Sequence, residues 1–348
     1  MKILIVSFTK KGAIICLKIT EGLRKSGYMA IGFSKYVENK LLLLEDKLND
    51  FTKRAFEENS AIVFVGATGI AVRAIAPFIA SKDRDPAIIV VDELGKYIIP
   101  ILSGHLGGAN EISKEIADIL KGKAVITTAT DINDVFAVDV WAVNNNLYIE
   151  NIDSIKYISA AVLKGEKIGF CCDYPVEGDL YDFMTQAKAE VGIYIMNQNV
   201  KKSDETFVPF LRTLRLRPKL FFVGIGCRKG TDEKVLEEFF IETLTELDIP
   251  MFLVSKIVTI DIKKEEKAIV KLCEKHRYPL ETFTSEQLSR AKGEFTSSEF
   301  VKSSVGVDNV CERAAYIASN AGKIILKKTV KNKCTIAIAL GEWRCSFK

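Results

Sequence analysis

The stretch AIVFVGATGIAVR, residues 61–73, joins an unbroken apolar run to a glycine turn and the start of a helical pattern. An apolar run without alternation, such as 61–65, is typical of a strand buried on both faces, which occurs in parallel sheets covered by helices. The same order opens the chain: KILIVSF predicts a strand, and AIICLKITEGLRKSG predicts a helix that ends at Gly27. This repeated strand–helix order predicts an α/β fold with a mostly parallel sheet and helices on its faces.

The rest of the first third continues this order. YMAIGFS predicts a second strand and LNDFTKRAFEENS an amphipathic helix, while Pro77 is expected to bend or end the helix that follows the glycine turn. AIIVVDELGKYIIPILSG predicts a strand, a turn at 93–96 and a second strand, in which Pro100 marks an edge strand or a strand end. NEISKEIADILKG predicts a helix capped by Asn110 or Ser113, and AVITTAT predicts another strand.

The chain is expected to have three parts. Residues 1–135 form an N-terminal, mostly parallel α/β domain, 136–217 a small central α+β region, and 218–348 a C-terminal α/β domain. LRTLRLRPKL, residues 211–220, predicts a solvated strand that leads to a linker near Pro218. Beyond it, LFFVGIGCRKGTDEKVLEEFF predicts a strand, a glycine turn and a helix capped by Thr231.

Composition excludes several classes of protein. The 348 residues carry 49 Lys and Arg against 45 Asp and Glu, a formal charge of +4 that gives no argument for nucleic acid binding. No apolar stretch approaches the ~20 residues that cross a bilayer, so we expect a cytoplasmic protein that is not bound to a membrane. The eight cysteines form no CxxC pair and are expected to be reduced core thiols. With only two histidines, His105 and His276, no metal site is predicted.

Three glycine-rich loops each follow a predicted strand and precede a predicted helix. They are VGATGIAVR (65–73), SGHLGGAN (103–110) and VGIGCRKGT (223–231). Ligands of α/β proteins bind at the carboxyl ends of strands, so the three loops together predict an anion-binding crevice. The third loop has the spacing GxGxxxG, which is one residue too long for the dinucleotide fingerprint and lacks the P-loop ending. Each loop taken alone is equally consistent with glycines that only allow a tight turn or close packing.

The candidate catalytic residues are His105, Glu93 and Asp92. A histidine with an ordinary pKa near 6.5 suits proton transfer at neutral pH, and a carboxylate at the end of the preceding strand could orient it. The alternative is that His105 closes a loop and that Asp92 and Glu93 serve a hairpin turn. The candidate ligand-binding residues lie in and around the three loops: Gly66, Thr68, Gly69, Arg73, Lys96, Ser103, Gly104, Gly107, Gly108, Asn110, Thr128, Asp131, Gly224, Gly226, Cys227, Arg228, Lys229 and Thr231.

Several long motifs resemble one protein family. GATGIAVRAIAP, VVDELGKYIIPILSGHLGGANEIS and TTATD resemble the N-terminal region of the CbiG family of anaerobic cobalamin biosynthesis. VGIGCRKGT, LVSKIVTIDIK and SSVGVDNVCERAA resemble that family's C-terminal domain, which occurs alone in the related CobE proteins. The resemblance covers nearly the whole chain in order and is weakest across 136–215.

The resemblance implies the activity of a cobalt-precorrin-5A hydrolase. Such an enzyme opens the δ-lactone of ring A in a corrinoid intermediate and releases acetaldehyde, without a cofactor of its own because the substrate carries the cobalt. His105 would transfer protons, Glu93 or Asp92 would orient it, and the N–H groups of Gly107 and Gly108 would stabilise the oxyanion. Transient contacts with neighbouring pathway enzymes fit this role. A corrinoid carrier without catalysis stays open as an alternative, as does a nucleotide-using enzyme.

Overall fold

The structure is a computed structural model that describes residues 2–36, 40–58, 60–81, 84–133, 135–197, 208–297 and 306–347. The chain forms two compact units, Met1–Val140 and Trp141–Lys348. The division into three parts with borders at 135 and 217 stays a prediction.

The first unit is built on one seven-stranded sheet in the order β3-β2-β1-β4-β5-β6-β7. Its strands are β1 (Lys2–Ser7), β2 (Met29–Ser34), β3 (Leu42–Leu43), β4 (Ala61–Val65), β5 (Ile88–Val91), β6 (Tyr97–Leu102) and β7 (Lys123–Ala124). All neighbouring strands are parallel except β5 and β6. The expected α/β fold with a mostly parallel sheet is confirmed.

Helices cover both faces of this sheet. They are α1 (Lys10–Lys25), α2 (Leu48–Glu57), α3 (Thr68–Ile75) and α4 (Ala109–Leu120). Two short helices, α5 (Ala129–Ile132) and α6 (Val138–Asn144), follow β7. Side chains of α1 and α4, such as Ile19 and Ile116, are buried in the core on one face, and Phe51 of α2 and Ile75 of α3 are buried on the other. Helix α3 gives way to a 3₁₀ turn at Ala76–Phe78, which confirms that Pro77 ends it.

The hairpin between β5 and β6 reverses the chain direction within the sheet. The carboxylate of Asp92 accepts hydrogen bonds from the N–H groups of Leu94 and Tyr97, and Gly95 takes the positive φ of 69° that the turn requires. Val91 pairs with Ile98 at one end of the hairpin, and Ile88 pairs with Leu102 at the other. Because β6 is antiparallel, the residues that follow it lie at the opposite edge of the sheet from those that follow β4 and β5.

Strand β7 is shorter than predicted. AVITTAT was expected to be one strand, but only Lys123–Ala124 pairs with β6, and α5 begins at Ala129. The N–H of Val125 still donates to the carbonyl of Ile98 over 2.8 Å. In a parallel ladder the next donor would be the N–H of Pro100, which proline lacks, so the pairing stops there. Pro100 thus ends the ladder with β7, but the predicted edge strand or strand end is wrong, because β6 lies between β5 and β7 and continues to Leu102 in its pairing with β5.

The second unit contains two five-stranded sheets. The first has the order β11-β9-β12-β13-β8 and belongs to the central region. Its strands and the accompanying elements are β8 (Leu147–Ile149), α7 (Ile155–Leu163), β9 (Ile168–Cys172), β11 (Met184–Thr185), β12 (Val191–Ile195) and β13 (Arg212–Pro218). The prediction of a solvated strand at 211–220 is wrong, because β13 lies between two strands and is mostly buried. Its Arg217 is only 5% exposed and pairs with Glu150, which compensates the buried charge.

The second sheet of this unit has the order β16-β15-β14-β18-β17. Its elements are β14 (Phe221–Cys227), α8 (Glu233–Glu246), β15 (Val254–Ile260), α9 (Lys267–His276), β16 (Leu280–Phe283), α10 (Ser285–Ser289), α11 (Cys311–Ala318), β17 (Lys323–Lys331) and β18 (Cys334–Leu340). Of the SSVGVDNVCERAA motif, residues 303–305 lie outside the described residues, and the part from Cys311 onward opens α11 as expected. A separate two-stranded ladder joins β10 (Val176–Glu177) to β19 (Cys345–Ser346).

No helix in the described part of the chain is long and apolar enough to cross a membrane.

Candidate active site

The loop SGHLGGAN carries the chain from β6 into α4 and closes on itself through backbone contacts. The N–H of Ala109 donates to the carbonyl of Ser103, and that of Asn110 donates to the carbonyl of Gly104, over 3.1 and 3.0 Å. A Cβ at Gly107 would collide with Ser103, and Gly108 has a φ of 81°. Glycine at these two positions is therefore a requirement of the turn.

The expected cap of α4 is corrected. The residue before the helix is Gly108, and neither Asn110 nor Ser113 caps it, because both lie inside the helix and are buried. The N–H groups of Ala109 and Asn110 already bond to carbonyl groups of the loop, so these two donors are not available to an anion.

His105 lies between two carboxylates. Its Nε2 atom is 2.7 Å from Oδ2 of Asp131, which belongs to α5, and its Nδ1 atom is 3.0 Å from Oδ2 of Asp139, which belongs to α6. The His105 side chain is 12% exposed, Asp131 is 23% exposed and Asp139 is 13% exposed. The three side chains form a half-buried cluster at the edge of the sheet where β6 and β7 end.

Polar neighbours fix the position of Asp131. The side-chain amide of Asn110 donates to Oδ2 of Asp131 over 3.0 Å and to Oγ1 of Thr128 over 3.2 Å. Thr130 places its Oγ1 atom 3.4 Å from Nε2 of His105. Gly104 leaves room for the Asn110 amide, since a Cβ there would lie 2.8 Å from its oxygen. The structure thus brings together the predicted residues Gly104, His105, Asn110, Thr128 and Asp131.

The charge of the cluster follows from these contacts. The hydrogen bond to Asp139, opposed by burial and reinforced by the bond to Asp131, raises the pKa of His105 to about 9. Burial raises the pKa of Asp139, but its hydrogen bond with His105 and the attraction to that ring outweigh burial and lower it overall. At neutral pH His105 is therefore an imidazolium ion that donates from both nitrogens, without a lone pair to accept a proton.

The predicted partners of His105 are corrected. Asp92 and Glu93 follow β5 at the opposite edge of the sheet, since β6 runs antiparallel between them and His105. The Asp92 carboxylate closes the hairpin turn, and the Glu93 carboxylate accepts a hydrogen bond from the hydroxyl of Thr9. Neither residue orients His105. The ring is instead held by Asp131 and by Asp139, and of these two only Asp131 was a predicted site residue.

The loop after β4 also ends at the edge opposite to His105. Gly66, Thr68 and Gly69 lie where β4 joins α3, next to the hairpin that carries Lys96. The guanidinium of Arg73 donates back to the carbonyl of Gly69 over 3.1 Å, and the Lys96 ammonium lies 5.0 Å from the centre of the Tyr97 ring. These predicted ligand-binding residues share an edge with Asp92 and Glu93 and not with the His105 cluster.

The glycines of the 223–231 loop serve close packing. A Cβ at Gly224 would collide with the backbone oxygen of Cys311 at the start of α11, and one at Gly226 would lie 2.6 Å from Oγ1 of Thr335. Burial raises the pKa of Cys227 to about 11, which leaves its thiol protonated at neutral pH. Close approach of α11 and β18 thus explains two glycines that the sequence assigned to a ligand.

Carboxylates of the chain accept hydrogen bonds from the N–H groups at the end of this loop. Asp232, and not Thr231 as predicted, is the N-cap of α8, and its carboxylate accepts from the N–H groups of Lys234 and Val235. The Thr231 hydroxyl donates instead to the carbonyl of Arg228 over 2.7 Å. The N–H of Gly230 donates to Glu266 over 3.0 Å, so two carboxylates of the chain already occupy this turn. Arg228 and its neighbour Lys229 are exposed.

Within the described ranges, no group of three or more His, Cys, Asp and Glu side chains could hold a metal ion.

Three family models match successive stretches of the chain. The model for the N-terminal part of cobalamin synthesis protein G matches residues 50–131, that for the central region of cobalamin biosynthesis matches 136–218, and that for the C-terminus of protein G matches 221–339. A cobalt-precorrin-5A hydrolase from Salmonella typhimurium is 31% identical over 299 residues, which cover 83% of this chain and 84% of that protein. The chain belongs to the CbiG family.

Other relatives and a solved structure extend along the whole chain. A cobalt-precorrin-5A hydrolase from Priestia megaterium is 27% identical over 97% of this chain and 94% of its own length. A cobalamin biosynthesis protein G homologue from Sulfolobus solfataricus, solved by crystallography, is 24% identical over 98% of this chain and 97% of its own, with a TM-score of 0.42. His105 and Asp131 lie in the stretch that the N-terminal CbiG model matches, whereas Asp139 lies in the stretch that the central-region model matches.

Proposed function

We propose that this chain is a cobalt-precorrin-5A hydrolase, which opens the ring A δ-lactone of the corrinoid intermediate and releases acetaldehyde. Family membership and the names of the two relatives above support this activity. The observation that carries the site is the His105 cluster, where the carboxylate of Asp131 is held in place and is partly exposed to solvent. Hydrolysis of a lactone requires such a group to take a proton from the attacking water.

We assign the role of general base to Asp131. Both hydrogen bonds described for its carboxylate, from His105 and Asn110, end on Oδ2, so Oδ1 is left to face water or substrate. Asp131 is also more exposed than Asp139. This assignment replaces the proton-accepting role predicted for His105, because an imidazolium ion has no lone pair to receive a proton.

His105 then acts as a positioning residue. Its positive charge lowers the pKa of Asp139, and its hydrogen bond sets the direction of the Asp131 carboxylate. Once Asp131 has taken a proton from water, it can pass that proton to the leaving group while His105 holds the carboxylate in place. His105 thus supports proton transfer through Asp131.

The predicted oxyanion donors are reduced to one. The N–H of Gly108 donates to the carbonyl of His105 over 3.0 Å and is not available. The N–H of Gly107 has no acceptor among the described residues, and it lies two residues from His105 in the same turn. We assign stabilisation of the lactone oxyanion to this group.

The overall chemistry is the addition of water with cleavage of a carbon–carbon bond. Water oxygen joins the lactone carbonyl carbon, the ring oxygen leaves, and the methylated bridging carbon then departs as acetaldehyde while its bonding electrons stay with the macrocycle and are protonated. No electrons are exchanged with another reagent, so we propose that the protein needs no cofactor and that cobalt enters with the substrate.

We assign fewer residues to substrate binding than the sequence analysis predicted. Arg73 and Lys96 do not share the edge of the His105 cluster, and we do not assign them to the macrocycle bound at Asp131. The role of Arg228 and Lys229 as donors to substrate carboxylates stays a prediction, as do a cytoplasmic location and transient contacts with neighbouring pathway enzymes.

The test is direct detection of acetaldehyde. The purified full-length protein is mixed with the lactone-containing intermediate, binding is followed by the absorbance of the macrocycle, and acetaldehyde is trapped with a hydrazine reagent. Catalytic release, many equivalents for each protein molecule, is expected. Tight binding without acetaldehyde would overturn the proposal and favour a corrinoid carrier, and strong thermal stabilisation by NAD or ATP without acetaldehyde would favour a nucleotide-using enzyme.

A further inference from the structure

The last residues of the chain return to the central region and pair with it. Residues 341–347, which we call the C-terminal strap, include β19, whose Cys345 lies opposite Val176 of β10. The N–H of Cys345 donates to the carbonyl of Pro175 over 2.9 Å, and the indole N–H of Trp343 donates to the carbonyl of Asn145 over the same distance. The strap is therefore an ordered part of the second unit.

Aromatic packing fixes which way the strap faces. The ring of Phe347 stacks on Trp141 at 5.7 Å between centroids and meets Phe170 edge-on at 5.1 Å and Tyr181 at 5.2 Å. Phe347 and Phe170 are 8% and 3% exposed. The contact between Phe347 and Phe170 sets the strap against one face of β9.

Two cysteines lie beside this aromatic contact. Cys172 is two residues after Phe170 on β9, and Cys345 is two residues before Phe347 on the strap. Side chains two residues apart on an extended segment point to the same face, so the two thiols face each other as the two phenylalanines do. The two thiols are close enough that each shifts the pKa of the other.

We propose that Cys172 and Cys345 form a disulfide site, which reacts with low-molecular-weight disulfides such as oxidised glutathione and locks the C-terminal strap onto the central region. Nothing in the hydrolase reaction uses these thiols. The residues of this site belong to the second unit, and its test does not depend on the proposed activity.

The reaction has two exchange steps. The Cys172 thiolate attacks one sulfur of oxidised glutathione and forms a mixed disulfide, and one glutathione thiolate leaves. The Cys345 thiol then loses its proton to water and attacks the Cys172 sulfur, so that the second glutathione leaves and the protein disulfide forms. Two protein thiols are oxidised and one oxidised glutathione is reduced to two glutathione molecules.

The environments of the two thiols fit this order of attack. Cys172 is partly exposed, and the hydrogen bond from Cys345 outweighs burial and lowers its pKa. Cys345 is fully buried, and the same hydrogen bond, together with burial, raises its pKa. An accessible thiol with a lowered pKa next to a shielded resolving thiol is the arrangement of thiols that form disulfides readily.

Cys171 provides a matched control. It neighbours Cys172 on β9 but points to the other face of the strand, where it pairs in register with Tyr194. It has a similar, intermediate exposure. A reaction that depends only on exposed thiols would modify both Cys171 and Cys172. The proposed site involves Cys172 and leaves Cys171 unmodified.

The experiment treats the folded, full-length protein with oxidised glutathione, blocks the remaining thiols by alkylation and maps the disulfides by mass spectrometry of the peptides. We expect a peptide pair joined between Cys172 and Cys345, in the wild type and in Cys171→Ser, and none in Cys172→Ser. Hydrogen exchange of the strap should slow on oxidation and recover after reduction with dithiothreitol. Persistent glutathione on Cys172 without closure, or a link that involves Cys171, would overturn the proposal, and the wild-type map alone decides this if a variant fails to fold.

Discussion

Oδ2 of Asp131 lies 2.7 Å from Nε2 of His105, and the opposite nitrogen of the same ring lies 3.0 Å from Asp139. This geometry makes the histidine a cation between two anions, and it leaves the more exposed carboxylate as the group that meets water.

Replacing Asp131 by Asn should abolish acetaldehyde release while the macrocycle still binds. The amide keeps the shape of the side chain but cannot take a proton, so we expect kcat to fall by about 10²- to 10⁴-fold with little change in affinity. Asp118→Asn, an exposed carboxylate of α4, is the matched control and should keep wild-type turnover. Unchanged turnover in Asp131→Asn would remove this residue from the reaction.

The pKa of His105 should depend on Asp139 and not on Glu93. Only two histidines are present, so NMR titration of their ring signals resolves both. We expect Asp139→Asn to lower the pKa of His105 from about 9 and Glu93→Gln to leave it unchanged. A fall in Glu93→Gln of the same size would contradict the placement of these residues at opposite edges.

The His105 cluster should make stability depend on pH. Because folding raises the pKa of His105 from 6.5 to about 9, its contribution is fully present below pH 6.5 and is lost as the pH rises towards 9. Since folding lowers the pKa of Asp139, that contribution is lost as the pH falls through the acid range. Urea unfolding should show a loss of about 2 kcal/mol between pH 6.5 and 9 that is smaller in His105→Gln. Equal pH slopes in the two proteins would argue against the raised pKa.

Adding one methyl group at Gly224 should destabilise the second unit. The new Cβ would collide with the backbone oxygen of Cys311, and backbone cannot move aside as a flexible side chain does. We expect Gly224→Ala to lower the free energy of unfolding by about 2–3 kcal/mol in chemical denaturation. Gly230→Ala meets open space and only has to adopt a φ of 74°, so it should cost about 1 kcal/mol. The opposite ranking would mean that the loop tolerates Gly224→Ala by shifting α11.

Much of the fold followed from local patterns. The unbroken apolar runs gave β1 and β4 because strands buried on both faces need no polar side, and Pro77 ended α3 because it has no N–H to donate. The length of β7 did not follow, because it depends on the neighbouring Pro100 across the ladder. Thr231 and Asp232 can both cap a helix, so the sequence alone could not choose between them.

The site was predicted in part. His105, Asn110 and Asp131 stood out as polar residues in glycine- or threonine-rich turns, and the structure brings them together. Asp139 is 34 residues from His105 in a mostly apolar segment, and no local pattern joins the two. The predicted strand–turn–strand order already implies that Glu93 and His105 lie at opposite ends of β6, so the sequence alone could have excluded this pair.

The position of Asp139 in α6 has a consequence for dissecting the protein into fragments. A fragment that ends at residue 135, the expected domain border, keeps His105 and Asp131 but loses the second anion. The pKa of His105 would be lower in such a fragment. Measurements on it would therefore not describe the cluster of the whole protein. A fragment that continues through Asn144, the end of α6, retains all three groups.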